Sequence, residues 1–226
     1  MMRAVTGWPC PTTTVVLLLV FTAAAHGAGR DAPTQSVEDA IHTLQAGLLR
    51  DEAGLRDTPC RLYALLGAAM DPYVDFTRMG RLVMGQSRRE ATPGQQRDFN
   101  VQFRAWLLAL AARALSRYVL GRGLLGRLTI SYRPVRLFAG GTKAEVPTTL
   151  SLAGILRFDV RLRLHRDNDR WLIYDIRAEG FSLIAAYRTI LADKVHERGL
   201  DGAIRWLRAR STRLRQGFAA SSEGCE

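Results

Sequence analysis

Residues 156–165 read Leu156-Arg157-Phe158-Asp159-Val160-Arg161-Leu162-Arg163-Leu164-His165. Large hydrophobes alternate with charged or titratable residues along the whole stretch. Successive side chains of a strand point to opposite faces, so a period of two gives one dry face and one wet face. Residues 128–137, 143–152 and 171–177 carry further strand signals. Gly140-Gly141 and Asp167-Asn168-Asp169 supply the short turns of an antiparallel meander.

On both sides of this run the period lengthens. Ser36 is a candidate N-cap for a helix whose apolar positions are Val37, Ile41, Leu44 and Leu48. Thr58-Pro59 opens a second helix, with Pro59 at its first position and Leu62, Leu65, Leu66 and Met70 on its apolar face. A short helix is expected over residues 75–83, stopped by Gly85. Thr92-Pro93 starts the longest one, reaching about Val119, with Phe99, Phe103, Trp106, Leu107, Leu110, Ala114 and Tyr118 in one broad stripe. Arg97, Arg104, Arg113 and Arg117 lie largely off it. Helical spacing resumes over residues 182–198, and Asp201 caps a last basic helix. Helices, then strands, then helices predict an α+β fold: an antiparallel sheet of four to five strands whose dry face the helices cover. These faces fit a closed core and a cavity equally well.

The composition, 47% hydrophobic and 23% charged over 226 residues, is that of a folded domain. Net charge is +11, and all basic residues but Lys143 and Lys194 are arginine. Such a charge bears on solubility and on attraction to anionic surfaces, not on fold. Arg3, the apolar run 15–25 and the small residues 23–28 read as a secretory signal. The run is shorter than the roughly 20 residues a membrane span needs, and no cysteine follows it for a lipid anchor. The expected division is therefore a signal over 1–28, one domain over 29–216 and a disordered tail over 217–226. Without the signal, Cys60 and Cys225 remain. An oxidising compartment permits a bridge between them, and the sequence leaves that pairing open.

Catalytic patterns are weak. Gly121, Gly123 and Gly126 spell G-x-G-x-x-G, but they follow a helix and precede a strand, the reverse of the dinucleotide-binding order. His42, His165 and His196 are scattered, and no Cys/His cluster has metal-ligand spacing. Asp175 and Glu179 are candidate acid/base carboxylates, better read as capping or surface-pairing groups. An exported protein rarely meets nucleic acid, so no nucleic-acid partner is expected.

Three blocks resemble the MlaC family of periplasmic phospholipid-binding proteins, also called toluene-tolerance auxiliary proteins. They are Pro72-Tyr73-Val74-Asp75-Phe76 running on to Leu82-Val83-Met84-Gly85-Gln86; Ala91-Thr92-Pro93-Gly94-Gln95-Gln96-Arg97 with Phe99 and Phe103-Arg104; and Trp171, Tyr174-Asp175-Ile176 and Ala178-Glu179-Gly180-Phe181-Ser182-Leu183-Ile184, continuing to Gly199-Leu200-Asp201-Gly202-Ala203-Ile204. The resemblance spans about 37–214, and the third block is the most specific. The chain departs from the family at Phe181, where a smaller aliphatic residue is usual, and in its unmatched tail.

The resemblance implies a helix-wrapped sheet around an apolar lipid pocket, and a non-enzymatic periplasmic carrier with no cofactor, phospholipid being its cargo. Its implied partners are an inner-membrane ABC transporter complex carrying MCE domains and an outer-membrane lipoprotein–porin complex, met as a monomer. On that basis Val146, Thr148, Leu150, Phe158, Val160 and Leu162, with Ile176, are expected to form one pocket wall. Phe103, Leu107, Leu110 and Tyr118 of the long helix form the other. Phe181 and Ile184 guard the entrance, and Val83 and Met84 contribute from the third helix. A hopanoid-associated lipid carrier, an envelope adaptor that carries nothing, and a periplasmic enzyme using Asp175 are the competing readings.

Overall fold

The computed structural model describes residues 32–57, 59–120, 123–154 and 156–219. The expected signal, 1–28, and the last residues of the expected tail lie outside these. Among the described residues seven α-helices flank the sheet in chain order: α1 (Ala32–Arg50), α2 (Glu52–Asp57), α3 (Pro59–Met70), α4 (Phe76–Met84), α5 (Ser87–Glu90), α6 (Pro93–Tyr118) and α7 (Leu183–Ala219). Between α6 and α7 come β1 (Leu128–Tyr132), β2 (Arg136–Phe138), β3 (Lys143–Leu152), β4 (Leu156–Asp167), β5 (Arg170–Ala178) and β6 (Phe181–Ser182). The fold is α+β, with the strands antiparallel in the order β1-β3-β4-β5-β6 and β2 also paired to β3. The first expected strand is split in two around Pro134, which has no N–H to give a ladder.

Several helix starts follow the local chemistry. Thr92 and Gln95 form a capping box at the head of α6: the Gln95 N–H donates to Thr92 Oγ1 (3.2 Å) and the Thr92 N–H to Gln95 Oε1 (3.0 Å). Asp75 caps α4 by accepting from the Arg78 N–H (2.7 Å), and Gly85 ends it at a φ of 57°. One start differs. The α1 helix begins at Ala32, so Ser36 lies inside it, and Ser36 Oγ donates instead to the Trp171 carbonyl of β5 (2.7 Å). The final helix breaks at Gly199, where φ is 67°. Asp201, the expected cap, accepts from Gln95 Nε2 (2.9 Å) and ties α7 to the head of α6. The last helix runs to Ala219, into the expected tail.

Register fixes the two faces of the sheet. Opposed residues share a face, giving the rows Tyr132–Thr148–Val160–Ala178–Phe181, Ile130–Leu150–Phe158 and Val146–Leu162–Ile176. The α1 helix covers one end of this apolar face, where Val37 packs with Ala144, Val146, Leu164 and Ile173. The opposite face is not simply wet. A bulge in β5 inserts Tyr174 between the pairs Arg163–Asp175 and Leu164–Ile173. Tyr174 is thereby buried among α4, α6 and α7, with Met79, Val83, Phe99, Phe103 and Ile184. His165 and Asp175 are buried on the same side.

Asp175 joins sheet to helix. Its Oδ1 accepts from the Ile184 N–H (3.2 Å) and its Oδ2 from Ser182 Oγ (2.8 Å), while the Ala185 N–H donates to Ser182 Oγ (3.1 Å). The two residues together cap α7, the capping role expected for this carboxylate. Asp175→Ala strips the buried Ile184 N–H of its acceptor. It is expected to cost about 2 kcal/mol of stability, read from the urea midpoint at unchanged slope.

Candidate functional site

A cavity of about 350 Å³ lies between the apolar face of the sheet and α1. From the sheet come Leu128 and Ile130 of β1, Thr148 and Leu150 of β3, Val160 and Leu162 of β4, and Ile173 and Ile176 of β5. The other wall is α1, through Val37, Ala40, Ile41, Leu44, Gln45 and Leu48. Met70, Val74, Met79, Leu125 and, from the end of α6, Leu115 and Val119 close it. Residues 37, 41, 44 and 48 follow one another at helical spacing, and Ala40 beside them adds only a methyl group. The helix can therefore present a continuous apolar surface without filling the space in front of the sheet.

No titratable side chain lines the cavity among the described residues; Gln45 and Thr148 are its polar members. Thr148 is fully buried, and its hydroxyl reaches only the Val146 carbonyl of its own strand, at 3.4 Å. Such a space offers water few partners and suits hydrocarbon. Scaled from a ~150 Å³ apolar cavity that holds benzene, it has room for about 14 carbon atoms. Because the Thr148 hydroxyl is so poorly bonded, Thr148→Val is expected to hold or raise stability by up to about 1 kcal/mol in urea unfolding. A clear loss would reveal a partner for that hydroxyl.

The polar clusters lie elsewhere. His165 Nε2–H donates to Asp75 Oδ2 (2.9 Å) on the helix-covered face, and the Arg78 guanidinium stacks 5.2 Å over Tyr174. Burial raises the Tyr174 pKa, partly opposed by the neighbouring Arg163 and Arg78 charges. Burial also raises that of Tyr187, whose ring lies 4.3 Å from Trp106. At the far end of the sheet Thr149 Oγ1 donates to Asp159 Oδ1 (2.5 Å), and this bond first, then the surrounding arginines, lower the Asp159 pKa. Both oxygens of Asp175 are engaged in capping, and Glu179 sits exposed in the turn before β6 at a φ of 49°. Among the described residues no group of His, Cys, Asp and Glu is placed to hold a metal ion. Cys60 is disulfide-bonded, and Cys10 and Cys225 both lie outside the described residues.

The family model for MlaC protein matches residues 38–209. The chain belongs to the MlaC family. Among solved structures, a phospholipid-binding protein from Ralstonia solanacearum, in complex with a phospholipid, is similar at 27% identity and a TM-score of 0.71. The match covers 82% of this chain and 99% of that one.

Within this MlaC fold the residues expected at the site separate into groups. Thr148, Leu150, Val160, Leu162 and Ile176 line the cavity. Val146 is on the same face but fully buried in the core beside it. Phe158 and Phe181 lie on that face beyond the lining, 47% and 78% exposed. The described side chains expected to form the helical wall lie apart from this cavity. Phe103 and Leu107 pack with Val83, Met84 and Ile184 in the core formed by α4, α6 and α7, because the first two-thirds of α6 serves those helices. Ile184 is thus inside that core and not beside Phe181 at the edge. Leu110 is 37% exposed and borders a separate cleft with Trp106, Arg113 and Tyr187. The Tyr118 side chain lies outside the described residues. Sequence reasoning missed the α1 wall, although the stripe of Val37, Ile41, Leu44 and Leu48 was its signal.

Proposed function

We propose that this chain is a periplasmic phospholipid carrier, which takes acyl chains into the cavity between α1 and the sheet and moves lipid between the outer and inner membranes. The observation that carries the reading is an apolar cavity with no titratable group among its described lining residues, in a chain of the MlaC family. The phospholipid held by the Ralstonia protein of the same fold supports the same cargo. No described helix is long and apolar enough to cross a membrane, in keeping with a carrier that leaves the bilayer.

Physics requires such a carrier. Each buried methylene is worth about 0.8 kcal/mol, so two chains of ~16 carbons resist transfer to water by roughly 25 kcal/mol. A cavity as apolar as the bilayer removes that barrier, and no reaction is needed. At ~14 carbons the space described above holds about one chain. The exposed face at Phe158, Ile176 and Phe181 offers further apolar surface at the same site. In this reading Thr148, Leu150, Val160, Leu162 and Ile176 contact the chains, and Phe181 stands at the mouth. The carrier works as a monomer in the exported, signal-free form. It meets an MCE-domain transporter complex at the inner membrane and a lipoprotein–porin complex at the outer, and so maintains outer-membrane lipid asymmetry.

Organic extraction of the purified protein followed by mass spectrometry tests this. Stoichiometric phospholipid is expected; an empty protein would favour an adaptor, and a hopanoid or another metabolite a different cargo. Two substitutions locate the site. Val160→Trp fills the cavity and is expected to remove most bound lipid while costing about 1–3 kcal/mol of stability. Phe181→Glu sets a charge at the mouth and is expected to abolish lipid carriage without unfolding, since Phe181 is exposed. If Phe181→Glu purified with normal lipid, the mouth would lie elsewhere.

A further inference from the structure

We propose that the groove between α4, α5 and α7 is a docking site for an acidic, amphipathic segment of a partner protein. The groove has a volume of about 880 Å³. Its basic lining consists of Arg78, Arg81, Arg88, Arg89, Arg188 and His196, and no carboxylate lines it among the described residues. Leu82, Met84 and Val195 contribute apolar surface to the same groove.

What distinguishes this place is five arginines in one lining that holds no acid among the described residues. Several arginines elsewhere are paired with acids: Arg61 with Asp51, Arg104 with Asp71, Arg133 and Arg157 with Asp159, Arg161 with Glu145, Arg166 with Asp169. The five of the groove make no ion pair among the described residues. Of the acids nearest in sequence, Asp75 is engaged by the Arg78 N–H and His165 and lines the adjoining pocket, Glu197 is held by Lys194 (2.8 Å), and Glu90 and Asp193 are not in the lining. Two of the arginines are fixed in place. Arg188 donates from Nε to the Leu82 carbonyl (2.9 Å). Arg78 is stacked over Tyr174, and its buried Nε has no acceptor among the described residues.

Like charges gathered in one concavity raise the local potential and draw in an anion. Guanidinium forks match carboxylates with two parallel bonds. The apolar surface decides among anions. A free phosphate gains nothing from Leu82, Met84 and Val195, and a flat bilayer surface does not enter a groove between helices. A peptide with acidic and apolar residues on adjoining faces satisfies both parts, as in helix-in-groove recognition. The groove shares α4 with the cavity, since Met79, which follows Arg78, lines the latter. The proposal does not depend on what the cavity carries.

The probe is a fluorescently labelled helical peptide with Glu on one face and Leu on the other, followed by anisotropy against the full chain. Saturable binding is expected, weakening as salt is raised. Arg81→Gln combined with Arg89→Gln is expected to weaken it by about tenfold or more. Arg205→Gln with Arg208→Gln, equally charge-removing and on α7 but outside the groove lining, is expected to bind as the parent does. Circular dichroism and bound-lipid content at parental levels in the groove variant would show that fold and cargo site are intact. Equal binding by the two double variants overturns the proposal, as does binding of phosphatidylglycerol vesicles or inorganic phosphate in place of the peptide.

Discussion

The β3–β4 ladder is the constraint on which the other features rest. Its antiparallel register runs unbroken from Lys143 opposite His165 to Leu152 opposite Leu156. It brings Ala144, Val146, Thr148 and Leu150 onto the face of Leu164, Leu162, Val160 and Phe158. A slip of one residue would turn one strand's hydrophobes to the other face and set Arg161 or Arg163 against α1. The alternation of β4 therefore selects one register, and that register makes a sheet face on which hydrocarbon can lie. Every cavity residue from β1 and β5 takes its position from these two strands.

Two carboxylates then hold the helices to that sheet. Asp75 caps α4 with one oxygen and accepts a hydrogen bond from His165 Nε2–H with the other. Its own N–H donates to the Ile173 carbonyl (2.9 Å), while the Ile173 N–H donates to the Tyr73 carbonyl (2.8 Å). The chain before α4 is thus stitched to β5. Asp175 does the same for α7 with Ser182 and Ile184. In both cases an acid, half-buried at Asp75 and buried at Asp175, is satisfied by capping a helix, the arrangement that makes such burial tolerable. Asp175, a candidate acid/base group in the sequence, is a structural joint like Asp75, and the cavity is left without charge among its described lining residues.

What could be read from the sequence follows from the range of the signals. Periods of two and of 3.6 are local, so β3, β4, β5, α3, α4 and α6 emerge within a few residues of their observed bounds. Caps are local too: Thr92 acts where it is expected. Ser36 misleads because its partner, the Trp171 carbonyl, is 135 residues away. The β5 bulge is likewise invisible, since nothing in Tyr174-Asp175 says that two successive side chains will turn to the helix side. The same limit governs the site. The sheet wall was legible because alternation and pairing are nearly the same information. The helical wall was not, because α1 and α6 carry equally apolar stripes. Which of them faces the sheet depends on how α3, α4 and α7 occupy α6. Aromatic Phe103 and Trp106 are the stronger hydrophobic signal, and they are spent on contacts with Tyr187 and Trp206.

The energetics of the cavity tie these threads together. At about 24 cal/mol per Å³, an unfilled void of 350 Å³ forgoes about 8 kcal/mol of packing, comparable with the 5–15 kcal/mol net stability of a whole domain. Closing it would be simple in sequence terms, since a larger residue at Ala40 or Val160 suffices. The chain instead places Ala40 opposite a wall of β-branched residues and leucines, and concentrates its aromatic packing on the other side of the sheet. That division is costly for a protein whose interior has no occupant and economical for one whose interior is completed by its cargo. In the proposed carrier, an acyl chain that filled the space would restore the missing contacts and add its own transfer free energy, and the cargo would act as the removable part of the core.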